Sequence, residues 1–153
     1  MVGGGGALIQ AFAAREADIV ALAPQTDARG RPRLESLTAA SVARRVARLR
    51  AAAGARADAL ELNAIVFDAA VGGRGSIVDR LEAGAKGALA GVARTVLTRA
   101  WRSDDTPFFL YGTRAEIVAR LREQRERLGI SYIALPASAM EGFAEVVAEL
   151  AGT

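Results

Sequence analysis

Neither cysteine nor histidine occurs among the 153 residues. Without cysteine there are no disulfides and no thiolate metal sites. Without histidine the chain lacks the commonest general base and metal ligand, and with both gone no Ser–His or Cys–His nucleophile pair is possible. Catalysis by this chain is therefore restricted to carboxylates, arginine, hydroxyls, backbone dipoles or a bound cofactor, and no metal site is expected. Lysine is nearly absent too: Lys86 is the only one, and arginine supplies almost all of the positive charge behind the net +3 and the pI near 10.1. Those arginines recur at helical spacing among glutamates, as in RAEIVARLREQRERL, which describes a solvated helix face. Aromatics make up only 5% of the chain and do not interleave with a basic run, so base stacking and nucleic-acid binding are not expected. No apolar stretch approaches the roughly 20 residues of a membrane span, and no signal peptide precedes the first glycines, so a cytoplasmic protein without membrane contact is expected.

The composition that remains, 52% hydrophobic and 24% charged, is that of one globular domain over 1–153 with a sizeable core. It opens on MVGGGGALIQAFAAREADIVALAP. Four consecutive glycines give up side-chain packing and backbone restraint, so either they are an unstructured leader or their amides approach something closely. Leu8, Ile9 and Phe12 share one face of the helix that follows, and DIVALAP reads as a buried strand ended by Pro24. QTDARGRPRLES is a loop. Thr38 caps the next helix, whose buried stripe is Val42, Val46, Leu49 and Ala53, and Gly54 ends it in a left-handed conformation.

ALELNAIVF is the second clear strand, and DAAVGGRGS a glycine-rich loop. Gly84, Gly87 and Gly91 divide the helical stretch from Ser76 to Arg102 into short helices before SDDTP breaks it. FFLYGT is extended. Thr113 and Glu116 have capping-box spacing ahead of the strongest helix, Arg114 to Leu128, with Ile117, Leu121 and Leu128 inward and Gly129 as its stop. ISYIALP is the last strand. Ser138 and Glu141 repeat the capping-box spacing, with Met140, Phe143, Val147 and Leu150 packing the final helix. Alternating strands and helices of this kind build βα units around a parallel sheet. A closed (β/α)8 barrel takes about 250 residues, and this chain has strands for about half of one.

VGGGG…AAREADIV, SLTAASVARRVARLRAAAGARADALELN and PFFLYGTRAEIVARLREQRERLGISYIALP resemble, in order and over nearly the whole chain, the C-terminal half of luciferase-like monooxygenases. They are most similar to the group of F420-dependent oxidoreductases. The resemblance implies a TIM-like barrel in which the stub at Met1 to Gly4, DIVALA, ELNAIVF and SYIALP are strands five to eight, with an insertion over 68–107 containing short helices. It implies coenzyme F420, or alternatively FMN, at the C-terminal mouth of the barrel, hydride transfer, and a small-molecule substrate. It also implies that the turn Gly3, Gly4, Gly5, Gly6 and Ala7, with Leu22 and Ala23 at the end of the next strand, contacts the cofactor's phosphate-bearing tail. Successive N–H groups at a helix N-terminus suit that task.

The family's substrate and hydride-transfer groups lie mostly on the other half of the barrel, so no catalytic residue is assigned. Met1 falls inside what would be a barrel strand, so the chain resembles a truncated product or one half of a split barrel, inactive alone. Its expected partners are a second copy or a separate N-terminal half-barrel, since four unclosed strands leave two open edges. A non-catalytic anion- or nucleotide-binding module assembling through those edges is the alternative. Among other polar groups, Glu61 reads as half of a structural ion pair, while Asn63 is equally compatible with a structural and a functional role. Asp104 and Asp105 are explained by turn chemistry, and Trp101 and Phe108 as packing anchors. Arg29, Arg31 and Arg33 either meet an acidic cofactor tail or keep a loop soluble.

Overall fold

A computed structural model describes residues 1–29, 33–73 and 106–152. Six strands are seen: β1 Val2–Gly4, β2 Ile19–Leu22, β3 Glu61–Ile65, β4 Asp68–Val71, β5 Phe109–Gly112 and β6 Ile130–Ala134. Four helices accompany them: α1 Ala7–Glu16, α2 Ala39–Ala53, α3 Arg114–Leu128 and α4 Ala144–Leu150. The fold is α/β, built of parallel βα units, and its main sheet runs β1-β2-β3-β6 with every pair parallel. These are the four strands that the sequence assigns to a partial barrel.

Register sorts the sheet into two faces. Val20, Leu22, Leu62, Ala64 and Ile130 share one core with Val42, Val46 and Leu49 of α2 and with Ala13 and Ala14 of α1. The other face carries the row Gly3, Ala21, Asn63 and Tyr132, aligned across all four strands. A register shift between Leu62 and Asn63 bulges the β3–β6 pairing there.

The helix signals hold where backbone chemistry sets them. Thr38 accepts from the Ser41 amide at 3.2 Å, and the α2 stripe of Val42, Val46 and Leu49 is buried. Gly54 ends α2 at φ 57, ψ −125, a positive φ whose ψ lies outside the left-handed helical well. At α3 both halves of the capping box form, and Gly129 closes the helix at φ 70, ψ 22. Arg56 reaches the carbonyls at the end of α1: it donates to Arg15 O and, at 3.1 Å, to Ala17 O.

Four expectations are corrected. On α1 the buried positions are Gln10, Ala13 and Ala14, whereas Leu8, Ile9 and Phe12 are exposed. Ala13 and Ala14 share the core with Val20 and Leu22 of β2 and Val42, Val46 and Leu49 of α2, whereas Ile9 lies over β1, its Cγ2 2.6 Å from where a Cβ on Gly4 would stand. Second, DAAV is strand β4 and not loop: after Ile65 the chain leaves the main sheet and pairs with β5 in a separate two-stranded parallel sheet. Third, Ser138 and Glu141 do not start the last helix. A 3-10 turn at Ala137–Ala139 intervenes, and α4 begins at Ala144 without a side-chain cap. Fourth, that later start turns Val146 inward beside Phe143 and leaves Met140 and Val147 exposed.

Of the expected insertion 68–107, the opening residues form β4, and 74–105 lies outside the described residues, with Lys86, Trp101, Asp104 and Asp105. Arg31 lies outside them also. Among the described residues, no helix is long and apolar enough to cross a membrane.

Candidate functional site

Parallel strands bring their C-terminal ends to one side of the sheet, and the glycine turn stands there between β1 and α1. Its glycines answer to different constraints. A Cβ on Gly3 would touch Ala21 Cβ at 3.0 Å; Gly4 has φ +158; a Cβ on Gly5 would collide with Pro24 O and lie 2.8 Å from Gln25 Cα. Close packing of the β1–α1 turn on the loop after β2 thus demands glycine at position 5. Gly6 is different. It is the N-cap of α1, with φ −79 and ψ 146, no side-chain cap, and only Ile9 Cγ2, at 3.9 Å, near a Cβ placed there. Gly6 and Ala7 are exposed.

The positive end of this ten-residue helix thus stands between exposed residues, with no N-cap side chain on its first amides. The turn is braced from inside by Gln10, 6% exposed, whose Nε2 donates to Gly4 O at 3.1 Å. Leu22 and Ala23 lie next to this turn, Leu22 in register with Gly4. The Leu22 side chain is wholly buried in the core, so only its backbone is available at the strand end. Arg29 and Arg33 are exposed on the loop beyond; Arg29 N donates to Asp27 Oδ1 and Arg33 N to Gln25 O.

Arg45 went unremarked in the sequence, yet it organises this loop. It is 1% exposed on the inward face of α2, donates Nη1 to Ala23 O, and donates Nη2 to Ser36 O at 2.8 Å. Its guanidinium also stands 5.9 Å from the Phe108 ring centroid. Burial, followed by the Arg48 charge, lowers its pKa. No carboxylate pairs with it among the described residues. The signal was an arginine inside the apolar stripe Val42-Arg45-Val46-Leu49.

Asn63 sits in the middle of the second face, 1% exposed. Its Nδ2 donates to Tyr132 O at 3.2 Å, and Oδ1 has no partner among the described residues. Glu61 is exposed and accepts from Ser131 Oγ at 3.4 Å; the described residues give it no ion pair. Phe108 is fully buried, as a packing anchor should be. A second polar pair that the loop reading of DAAV concealed is Asp68, 1% exposed, whose Oδ2 accepts from Tyr111 OH at 2.8 Å. Among the described residues no three His, Cys, Asp or Glu side chains gather as metal ligands. A groove of about 240 Å³ between α3, β6 and α4, lined by Ile133, Leu135 and Val146 among others, contains none of the residues of the glycine turn, nor Arg45, Asn63 or Asp68.

No family model and no curated protein matches the sequence. Among solved structures, the crystal structure of long-chain alkane monooxygenase (LadA) superposes with a TM-score of 0.58 at 17% identity, over 97% of this chain and 39% of that one. At that identity the likeness is one of fold, that of part of a TIM-type barrel. The chain spans 39% of the length of this neighbour.

Proposed function

We propose that this chain is the cofactor-phosphate-holding part of a flavin- or F420-dependent oxidoreductase of the luciferase-like type, with hydride transfer as its reaction class. The observation that carries the reading is the uncapped N-terminus of α1 at the C-terminal end of the parallel sheet, where βα proteins bind phosphates. The residues present fit such a group: Gly6 and Ala7 are exposed and no side chain fills the space around Gly6. The amides of Ala7 and Leu8 would donate to phosphate oxygens, and Gly5 lets the turn lie close to the loop after β2. Arg45 fixes that loop through Ala23 O. The bound cofactor supplies the hydride chemistry; F420 is the preferred identity and FMN the alternative. Turnover by this chain alone is not expected, because in the family it resembles the substrate and hydride-transfer groups lie mostly on the other half of the barrel.

Titration of the purified chain with F420, FMN and ADP, followed by fluorescence or calorimetry, tests the proposal. Selective binding of F420 or FMN, weakened at least ~10-fold by Gly6→Asp, is the expected result, since the new carboxylate would take the same amides. Equal affinity for all three ligands would indicate a general anion- or nucleotide-binding module instead. Binding that ignores Gly6→Asp would remove the glycine turn from the site.

A further inference from the structure

Nine large apolar side chains are exposed among the described residues, and they fall in three places. Met1, Leu8, Ile9 and Phe12 flank the β1 edge, with Leu8 89% and Phe12 47% exposed. Met140 and Val147, 65% and 56% exposed, follow β6 at the other edge. Ile65, Phe67 and Tyr132 belong to β3, the residues just after it, and β6. Among the described residues β1 pairs only with β2, and β6 only with β3, so each edge strand has a side without a ladder partner.

We infer that these surfaces are one self-complementary interface and that two copies of this chain close a single eight-stranded barrel. The four strands all run the same way. A twofold axis along the strand direction therefore lays β6 of one copy beside β1 of its partner, parallel, and repeats the pairing on the opposite side. Such a contact between different patches closes after two copies and leaves no edge. α4 follows β6 and α1 follows β1, so the same rotation sets Val147 and Met140 against the partner's Leu8 and Phe12. The strand that Tyr132 approaches carries Gly3, which has no side chain, in its own half of the aligned row. The exposed parts of the nine side chains amount to on the order of 1,000 Å² per copy, against the ~800 Å² per partner of an ordinary stable interface.

Sedimentation of the whole 153-residue chain over a concentration series is the test. A species of twice 15.9 kDa is expected. Phe12→Glu and Val147→Arg, both at positions exposed in the single chain, should each weaken association at least ~10-fold with unchanged far-UV circular dichroism. Mixed together they should re-form a two-chain species, because one contact then pairs glutamate with arginine and the other is unaltered. If either variant loses its circular dichroism, Leu8→Glu with Met140→Arg, at positions 89% and 65% exposed, repeats the cross. A chain that stays single at every concentration, one that grows into open polymers, one that assembles only with a different half-barrel protein, or variants that fail to complement would each overturn the inference. The readout is mass and not cofactor affinity, so it stands or falls separately from the proposed function.

Discussion

At the scale of single residues the glycine run separates into positions that the fold requires and one that it leaves open. Gly5→Ala puts a methyl group against the Pro24 and Gln25 backbone, which cannot move without shifting the loop, so stability should fall by about 1–3 kcal/mol in denaturant melts. Gly6→Asp faces no such obstacle. Its φ and ψ already suit an N-cap, and the carboxylate would accept from the free amides, so stability should hold or rise by a few tenths of a kcal/mol even as phosphate binding is lost. Opposite movements of stability and affinity are a signature that mere damage cannot imitate. Arg45 makes a second residue-scale case. Arg45→Met removes two hydrogen bonds from a charged donor, each contributing about 1.5–3 kcal/mol, and frees the loop from Ala23 to Ser36. Trypsin cleavage at Arg29 and Arg33 should then accelerate at least ~10-fold, with the helical signal retained.

Among the elements, α3 makes the plainest pH prediction. Thr113 N and Oγ1 both donate to Glu116 Oε2, at 2.7 and 2.9 Å, and the backbone bond is the main cause of the lowered Glu116 pKa. A carboxylate whose pKa is lowered by folding stabilises fully above its ordinary value, and the contribution disappears as pH falls through the lowered one. The unfolding midpoint of the native chain should therefore drop on acidification within that window. Glu116→Gln should flatten this dependence, whereas an unchanged slope would mean the box contributes nothing. Capping signals were legible at Thr38 and Thr113 because they are local: a side chain and an amide three residues away decide them. The Ser138–Glu141 spacing has the same local form, yet Phe143 and Val146 pack best when the helix starts later, and tertiary contact prevails. The face of α1 was illegible for a related reason. Periodicity selects the largest apolar residues, but the face that meets the α2 and β2 core is the one with Ala13 and Ala14, so Leu8 and Phe12 turn outward. β4 was hidden because DAAV runs directly into the glycines of GGRG and reads with them as a loop, and the switch at Val66 and Phe67 depends on hydrogen bonds to Ala134 O and Phe108 O, remote in sequence. Of the candidate site, the glycine turn was readable from composition, whereas Arg45 was not, since its partners are carbonyls brought near only by the fold.

For the whole molecule, the order β1-β2-β3-β6 joins strands whose alternation with helices is visible in the sequence, and four parallel strands without a ladder partner on either edge among the described residues have a physical consequence. Barrel strands tilt and stagger so that the last meets the first; here, among the described residues, each edge has a side to which a strand running in the same direction could add. If a second copy provides it, folding and association are linked, and the folded state gains stability from every increase in chain concentration. A tenfold rise is worth about 1.4 kcal/mol per dimer, or half that per chain, which for a domain of this size moves the thermal midpoint by roughly 2 °C. Scanning calorimetry over a hundredfold range should thus raise the midpoint of the native chain by about 4 °C, while Phe12→Glu, unable to associate, should melt at one temperature throughout. A native midpoint indifferent to concentration would mean that the edges stay apart, and that the nine exposed apolar side chains are covered by something other than another copy of this chain.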